Sequence, residues 1–201
     1  MTKYTGFIEK QIHETVLTLQ DISNNEELVS KIEKIGVLCA EAIQKGQKII
    51  FAGNGGSAAD SQHLAAEFVS KLSYNRPAMP AIAITTDTSA LTAIGNDYGF
   101  EKLFSRQIEA IGNKGDIFIA ISTSGNSKNI VEAINAAKKQ NLYTVGLTGN
   151  SNSKMSDICD LIFCSPSKIT PKIQETHIMI GHTICAIAED VIFGKEYGEN
   201  K

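Results

Sequence analysis

An imidazole and a carboxylate stand one helical turn apart near the first third of this 201-residue chain. They are His63 and Glu67, in the stretch GNGGSAADSQHLAAEF, and residues four apart share one face of a helix. Such a pair can form a surface hydrogen bond, bind a metal ion, or transfer protons. The spacing HxxxE differs from the HExxH of zinc proteases. The pair by itself therefore leaves all three possibilities open.

A second group of polar residues lies in the apolar stretch IQETHIMIGHTICAIAEDVI near the end of the chain. It contains Gln174, Glu175, His177 and His182. Polar side chains on a mostly buried helix need partners. Two helices that offer imidazole, carboxylate and amide groups could converge on Zn²⁺, although an amide oxygen is an uncommon zinc ligand. The pattern therefore makes a zinc site one hypothesis among others.

Two loops rich in glycine and serine are candidates for anion binding. One runs from Gly53 to Ser57, and the other, STSGNS, runs from Ser122 to Ser127. Each follows an apolar run and precedes a predicted helix, whose free backbone N–H groups favour phosphate. Neither loop is GxGxxG or GxxxxGK[ST], so a dinucleotide is not indicated. Tight turns with capping serines are the alternative, but four hydroxyls in STSGNS favour a phosphate ester.

Five short apolar runs position these groups: KIIFAG, AIAIT, DIFIAIS, YTVGLT and DLIFCS. They alternate with helical stretches, which predicts an α/β three-layer sandwich with a five-stranded parallel sheet. We expect one domain, with a helical extension in residues 1–46 and an α/β core in residues 47–201. The extension reads as two amphipathic helices. Its apolar face either covers the sheet of its own chain or also packs against a second copy.

The composition narrows the classes of partner. Hydrophobic residues make up 42% of the chain, charged residues 20%, and the net charge is −3. This charge argues against a nucleic-acid surface. No signal-peptide pattern opens the chain, and no uninterrupted apolar run reaches the roughly 18 residues that span a membrane. The four cysteines form no CxxC pair, so we expect reduced core thiols in a cytoplasmic protein, with a cysteine metal site as the alternative.

Five motifs together resemble the sugar isomerase (SIS) family, and most closely its phosphoheptose isomerases. In chain order they are GNGGSAADSQHLAAE, TAIGNDYGF, FSRQIEA, ISTSGNS and KIQETHIMIGH. The resemblance implies a flavodoxin-like SIS fold, a homotetramer with sites between subunits, and one Zn²⁺ per subunit. It implies isomerisation of sedoheptulose 7-phosphate to D-glycero-D-manno-heptose 7-phosphate through an enediol(ate). This is the first step towards nucleotide-activated heptose for lipopolysaccharide, capsule or other glycans.

The resemblance also assigns residues. It implies Glu67 as the catalytic base and His182 as the acid. The implied zinc ligands are His63, Glu67, Gln174 and His182. The implied substrate contacts are Asn54, Gly55, Gly56, Glu67, Asn96, Asp97, Ser122, Thr123, Ser124, Ser127 and Gln174. Ser57 is added as an anion contact because of its position at a helix start.

The sequence departs from the family at one place, and two other functions compete. Many members have Gly-Arg-Tyr where this chain has Ser70-Lys71-Leu72, and lysine lacks the bidentate fork of arginine. One competing function is a non-catalytic SIS tetramer that associates with a replication initiator. That relative departs at the metal and acid positions, which are complete here. The other is a sugar-phosphate sensor, which usually carries a DNA-binding domain for which this chain has no room.

Overall fold

Five parallel strands form one sheet at the centre of the fold. The computed structural model describes residues 2–149 and 151–197, and its strands are β1 Ile49–Gly53, β2 Ala81–Ala83, β3 Ile117–Ile121, β4 Tyr143–Thr148 and β5 Leu161–Cys164. Their order across the sheet is β2-β1-β3-β4-β5. Because the order changes direction between β1 and β3, the loops after these strands diverge and leave a crevice at the strand ends. The predicted five-stranded parallel sheet is confirmed.

Helices cover both faces of this sheet, which confirms the predicted three-layer sandwich. They are α1 Thr5–Ser23, α2 Glu26–Gln44, α3 Gly56–Val69, α4 Thr88–Tyr98, α5 Ser105–Ile111, α6 Lys128–Lys139, α7 Lys154–Ile158 and α8 Thr170–Tyr197, with a 3₁₀ turn at Phe100–Lys102. One face packs under α2, α3 and α8 through residues such as Ile35, Phe68 and Ile180. The other packs under α5 and α6 through Ile108 and Ile134. Every residue of β1 and β3 is buried, which explains their continuous apolar runs.

The two N-terminal helices differ in what they bury. Asn25 begins α2 by accepting a hydrogen bond from the backbone N–H of Leu28 at 3.2 Å, as expected of an N-cap. The apolar face of α2 then packs against the sheet, with Ile35 fully buried. On α1, by contrast, Ile8 and Ile12 are 52% and 59% exposed. The extension therefore covers its own sheet through α2, while the apolar stripe of α1 lies largely on the surface.

The last helix is the core helix that joins the layers. Over Thr170–Lys195 it is long and apolar enough to cross a membrane by length and composition alone. It packs instead against α2 and α3, with Ile184 and Ala188 buried in the core. Glu189 on the same helix is also buried and pairs with Arg76. A charged, fully partnered residue in this position is the mark of a helix that packs inside a globular domain.

The structure adds detail on two helices and on the cysteines. Helix α3 ends at Val69, where the side chain of Arg76 binds its last carbonyl groups. No helix was predicted at α4, whose residues are all at least partly exposed, so it lacks a strong apolar stripe. The four cysteines are free thiols. Cys39 and Cys185 are buried as expected of core thiols, whereas Cys159 and Cys164 are partly exposed.

Candidate metal and anion site

Helices α3 and α8 bring together two imidazoles and one carboxylate. His63 and Glu67 lie one turn apart on α3, and their Nε2 and Oε1 atoms are 3.3 Å apart. His182 comes from α8, and its Nε2 lies 2.7 Å from Nε2 of His63. The two rings meet edge to face at 81°. The predicted convergence of these three residues is therefore present in the structure.

The donor set of this cluster suits a zinc ion. One nitrogen or oxygen from each of His63, Glu67 and His182 lies within 4.8 Å of the others. Zn²⁺ binds imidazole nitrogen and carboxylate oxygen at about 2.0–2.2 Å, so a tetrahedral ion spaces its ligand atoms about 3.3 Å apart. The His63–Glu67 separation agrees with that spacing. The two imidazole nitrogens are closer, at 2.7 Å, which is the distance of a hydrogen bond from one ring to the other.

Gln174 lies two turns before His182 on α8, close to the start of α3. A side chain at Gly56 would collide with the Gln174 amide, so glycine is required there for this close approach. The amide nitrogen of Gln174 lies 3.4 Å from Oδ1 of Asp60. An ionised carboxylate only accepts hydrogen bonds, so this contact turns the amide nitrogen of Gln174 towards Asp60. The amide oxygen of Gln174 is then left for another partner. The assignment of Gln174 as a metal ligand and substrate contact stays a prediction.

Asp60 is a site residue that the sequence analysis missed. It is buried, and its Oδ2 has no hydrogen-bond partner within the described residues. Burial raises the pKa of the Asp60 carboxyl, while the Gln174 amide and the charge of His63 act in the opposite direction. Asp60 precedes His63 by three residues and Glu67 by seven, so the helical spacing was the signal that could have identified it.

The loop after β3 gathers hydroxyl groups around one point. The Oγ atoms of Ser122 and Ser127 are 3.0 Å apart, and those of Ser122 and Ser124 are 3.5 Å apart. Ser127 begins α6, yet its side chain makes no capping hydrogen bond. Thr123 and Ser124 also line a cavity of about 680 Å³. The hydroxyls of this loop are thus more numerous than capping requires, as the phosphate-ester hypothesis predicts.

A glycine fixes the shape of this loop. Gly125 has φ +66°, and a side chain there would collide with the hydroxyls of Ser153 and Thr148. Its backbone N–H is bonded to the carbonyl of Ser122 at 3.0 Å. The backbone turns back sharply at this point, which brings the hydroxyl groups on either side of Gly125 together.

The loop after β1 is tied to the loop after β3. Asn54 and Asn129 exchange two side-chain hydrogen bonds of 2.9 and 2.8 Å. Gly55 has φ +55° and begins α3, and Ser57 follows it, buried in the first turn. Asn129 was not identified from the sequence, since its partner is 75 residues away. The contact holds the two predicted anion loops side by side at the crevice of the sheet.

Two predicted substrate contacts, and the lysine at which the sequence departs from the family, lie on exposed segments. Asn96 and Asp97 are exposed on α4, and the Asn96 amide donates to the Asp97 carboxylate at 2.8 Å. Lys71 is exposed in the segment after α3. The substrate roles of Asn96 and Asp97 stay predictions. His177, in contrast, is buried, and burial lowers its pKa to about 4, so its ring is neutral at pH 7.

Comparison with known proteins relates this chain to one family and to proteins named phosphoheptose isomerase. The family described as SIS domain matches residues 12–149. A protein named phosphoheptose isomerase from Aneurinibacillus thermoaerophilus is 51% identical over 191 residues, covering 95% of this chain and 96% of that protein. Two solved phosphoheptose isomerases are also similar. The Neisseria gonorrhoeae structure has a TM-score of 0.87 at 37% identity, and the Francisella tularensis structure 0.89 at 31%; each match covers 94% of this chain and 100% of the other.

Proposed function

The chain belongs to the SIS domain family, and from that premise we propose that it converts sedoheptulose 7-phosphate to D-glycero-D-manno-heptose 7-phosphate. Relatives about half identical over nearly their whole length carry the name phosphoheptose isomerase, so the chain is an isomerase. The competing function, an adapter for a replication initiator, gains no support from these relatives. The observations that carry the proposal are the His63–Glu67–His182 cluster and the hydroxyl groups gathered in the loop after β3.

A zinc ion is the proposed cofactor, one per chain. His63, Glu67 and His182 would hold it, with Gln174 as the fourth ligand. Bound there, zinc would supply Lewis-acid stabilisation of negative charge on the sugar oxygens. Because the ligands come from α3 and α8, binding should also stabilise the packing of these two helices.

The reaction needs one proton removed and one returned. In our proposal the Glu67 carboxylate removes a proton from the carbon beside the carbonyl, and the electron pair of that C–H bond forms the double bond of the enediol(ate). The electrons of the carbonyl double bond move onto the carbonyl oxygen, which His182 protonates. The neighbouring hydroxyl then loses its proton and becomes the new carbonyl, while the proton held by Glu67 or His182 goes to the former carbonyl carbon. Carboxylate and imidazole groups serve these roles near neutral pH when their surroundings adjust their pKa values.

The two loops are proposed to bind the phosphate end of the substrate. Backbone N–H groups at the starts of α3 and α6 carry partial positive charge, and the serine hydroxyls add donors. Contacts are proposed for Asn54, Gly55, Gly56, Ser57, Ser122, Thr123, Ser124 and Ser127. The Asn54–Asn129 pair joins the loop after β1 to the first turn of α6, which follows the loop after β3.

A homotetramer with sites between subunits is proposed for the assembled enzyme. The stripe on α1 is apolar and exposed, with Phe7 at 63%. The segment after Asn96 and Asp97 also exposes Tyr98 and Phe100, at 57% and 63%. Such surfaces mark protein interfaces, and burying them between subunits would carry Asn96 and Asp97 to a neighbouring site. Cytoplasmic location, and supply of heptose to lipopolysaccharide, capsule or another glycan, belong to the same proposal.

Turnover of the substrate tests the proposal. Purified protein supplied with zinc is mixed with sedoheptulose 7-phosphate, and carbon NMR follows the ketose and aldose signals with time. We expect the ketose carbonyl carbon to be replaced by an aldose anomeric carbon until equilibrium is reached. Absence of conversion by the zinc-loaded protein would overturn the proposal.

A further inference from the structure

A buried ion pair connects the end of α3 to α8 below the candidate metal centre. Nε of Arg76 donates to Oε1 of Glu189 at 2.9 Å, and both side chains are nearly inaccessible to solvent. Glu189 also accepts hydrogen bonds from the backbone N–H groups of Leu72, Ser73 and Tyr74, at 3.2, 2.7 and 3.3 Å. We name this pair the Arg76–Glu189 clamp. It fixes the whole segment that follows α3.

The guanidinium of the clamp binds the open end of α3. Its Nη2 donates to the carbonyl of Glu67 at 2.9 Å, and its Nη1 to the carbonyls of Phe68 and Ser70, at 2.7 and 3.2 Å. The last carbonyls of a helix have no partner within the helix. A planar fork of five N–H donors can satisfy several of them at once, which a lysine cannot do. One of these carbonyls belongs to Glu67, the proposed base and metal ligand.

The position of the clamp relates it to the metal centre. Glu189 follows His182 by seven residues, so both lie on one face of α8. Helices α3 and α8 contact each other along their length. The contact between Gln174 and Gly56 lies at one end, and the Arg76–Glu189 clamp lies at the other. His63, Glu67 and His182 lie between these two contacts. The separation of the two helices, which sets the distance between His182 and the α3 ligands, is therefore held from both ends.

We propose that the Arg76–Glu189 clamp is a positioning device for the metal centre. It holds the last turn of α3 against α8 so that Glu67 and His63 meet His182 at metal-binding distance. The inference rests on the zinc site of the proposed function. Arg76 reaches the main chain of Glu67 rather than its carboxylate, so it acts through the position of the helix. Residues that orient metal ligands typically change metal affinity by about 10- to 100-fold when replaced.

Zinc affinity of folded variants is the first test. The Arg76→Lys variant keeps a positive charge beside Glu189 but loses the fork. Its zinc Kd, measured on metal-free protein by competition with a fluorescent chelator, should rise by about 10- to 100-fold. The matched control is Arg106→Lys, because Arg106 is exposed and lies 3.7 Å from Glu109 on the surface; its zinc Kd should not change. Melting of the metal-free proteins is recorded alongside.

The outcomes distinguish a failure of the proposed clamp role from a failure of the proposed zinc site. If wild type binds zinc and folded Arg76→Lys binds it with the same Kd, the clamp only stabilises the fold and the inference is wrong. If wild type binds no zinc, the proposed metal centre itself fails, and the role of the clamp fails with it.

Hydrogen exchange of the wild-type protein gives a second test that needs no variant. Coupling is reciprocal, so zinc must strengthen the clamp if the clamp strengthens zinc binding. We expect the amides of Leu72, Ser73 and Tyr74, which donate to Glu189, to exchange at least about fivefold more slowly with zinc than without it. The Lys48 amide, bonded to Asp116, serves as the control. Equal exchange at 72–74 in both states would overturn the inference even if Arg76→Lys does not fold.

Discussion

Replacing Ser127 distinguishes a hydroxyl that binds phosphate from a hydroxyl that caps a helix. It stands at the N-cap of α6, but its side chain makes no capping bond and faces Ser122 Oγ at 3.0 Å. Ser127→Ala therefore removes little that stabilises the helix. If the hydroxyl donates to a phosphate oxygen, its loss costs about 1.5–3 kcal/mol, as for other hydrogen bonds to charged groups. That free energy corresponds to a KM raised about 10- to 150-fold.

Initial rates with sedoheptulose 7-phosphate at saturating zinc measure this change. Asn25→Ala is the matched control, because Asn25 is a true N-cap that accepts from Leu28 N–H. It should lower stability by about 0.5–2 kcal/mol and leave KM unchanged. The reasoning is refuted if Ser127→Ala keeps the wild-type KM. A loss of thermal stability as large as that of Asn25→Ala, with no change in KM, would show that Ser127 only caps the helix.

Three other predictions concern the loop, the buried imidazole and the proposed acid. Gly125→Ala places a side chain at a position with φ +66°, where it would collide with Ser153 and Thr148. The KM should therefore rise, and the free energy of unfolding measured in urea should fall by about 1–3 kcal/mol. An unchanged urea midpoint would contradict this. His177 has a folded-state pKa of about 4, below the unfolded value of about 6.5, so the unfolded state takes up the proton first. Between pH 6.5 and 4, the free energy of unfolding of metal-free wild type should therefore fall by up to roughly 3 kcal/mol more than that of His177→Gln. Above pH 7 the two free energies should change with pH at the same rate. Parallel curves of unfolding free energy over the whole pH range would refute this prediction. His182→Asn should melt near the wild-type temperature without metal, bind zinc more weakly and lose at least about a hundredfold in turnover, whereas normal turnover would remove His182 from catalysis.

The sequence predicts those parts of the fold that leave a local pattern. β1 and β3 are buried on both faces, so every residue is apolar or small and the runs are visible without a structure. The helix α4 escaped prediction because its residues are exposed in the single chain and carry no strong stripe. The start of α2 was visible because Asn25 and the glutamates after it are common at helix starts.

The candidate site could be predicted only in part from the sequence, because only residues close together in the chain leave a local pattern. His63 and Glu67 are four residues apart, so their shared face follows from helix geometry. His182 is 119 residues from His63, and no spacing rule connects them. The residue types made a shared metal site one hypothesis, and the resemblance to a family then selected His182 from the polar residues of α8. Asp60 lies on the same helix face and could have been found. The Arg76–Glu189 pair could not, since a contact across 113 residues depends on how α3 and α8 pack.

Metal-dependent turnover tests the central claim most directly. The protein is stripped with a strong chelator, zinc is added back in steps, and conversion of sedoheptulose 7-phosphate is measured beside bound metal in the same samples. If His63, Glu67 and His182 form a zinc centre that works on the sugar, activity should be lost on stripping and return in proportion to bound zinc, up to about one ion per chain. Full conversion by protein shown to contain no metal would contradict the account.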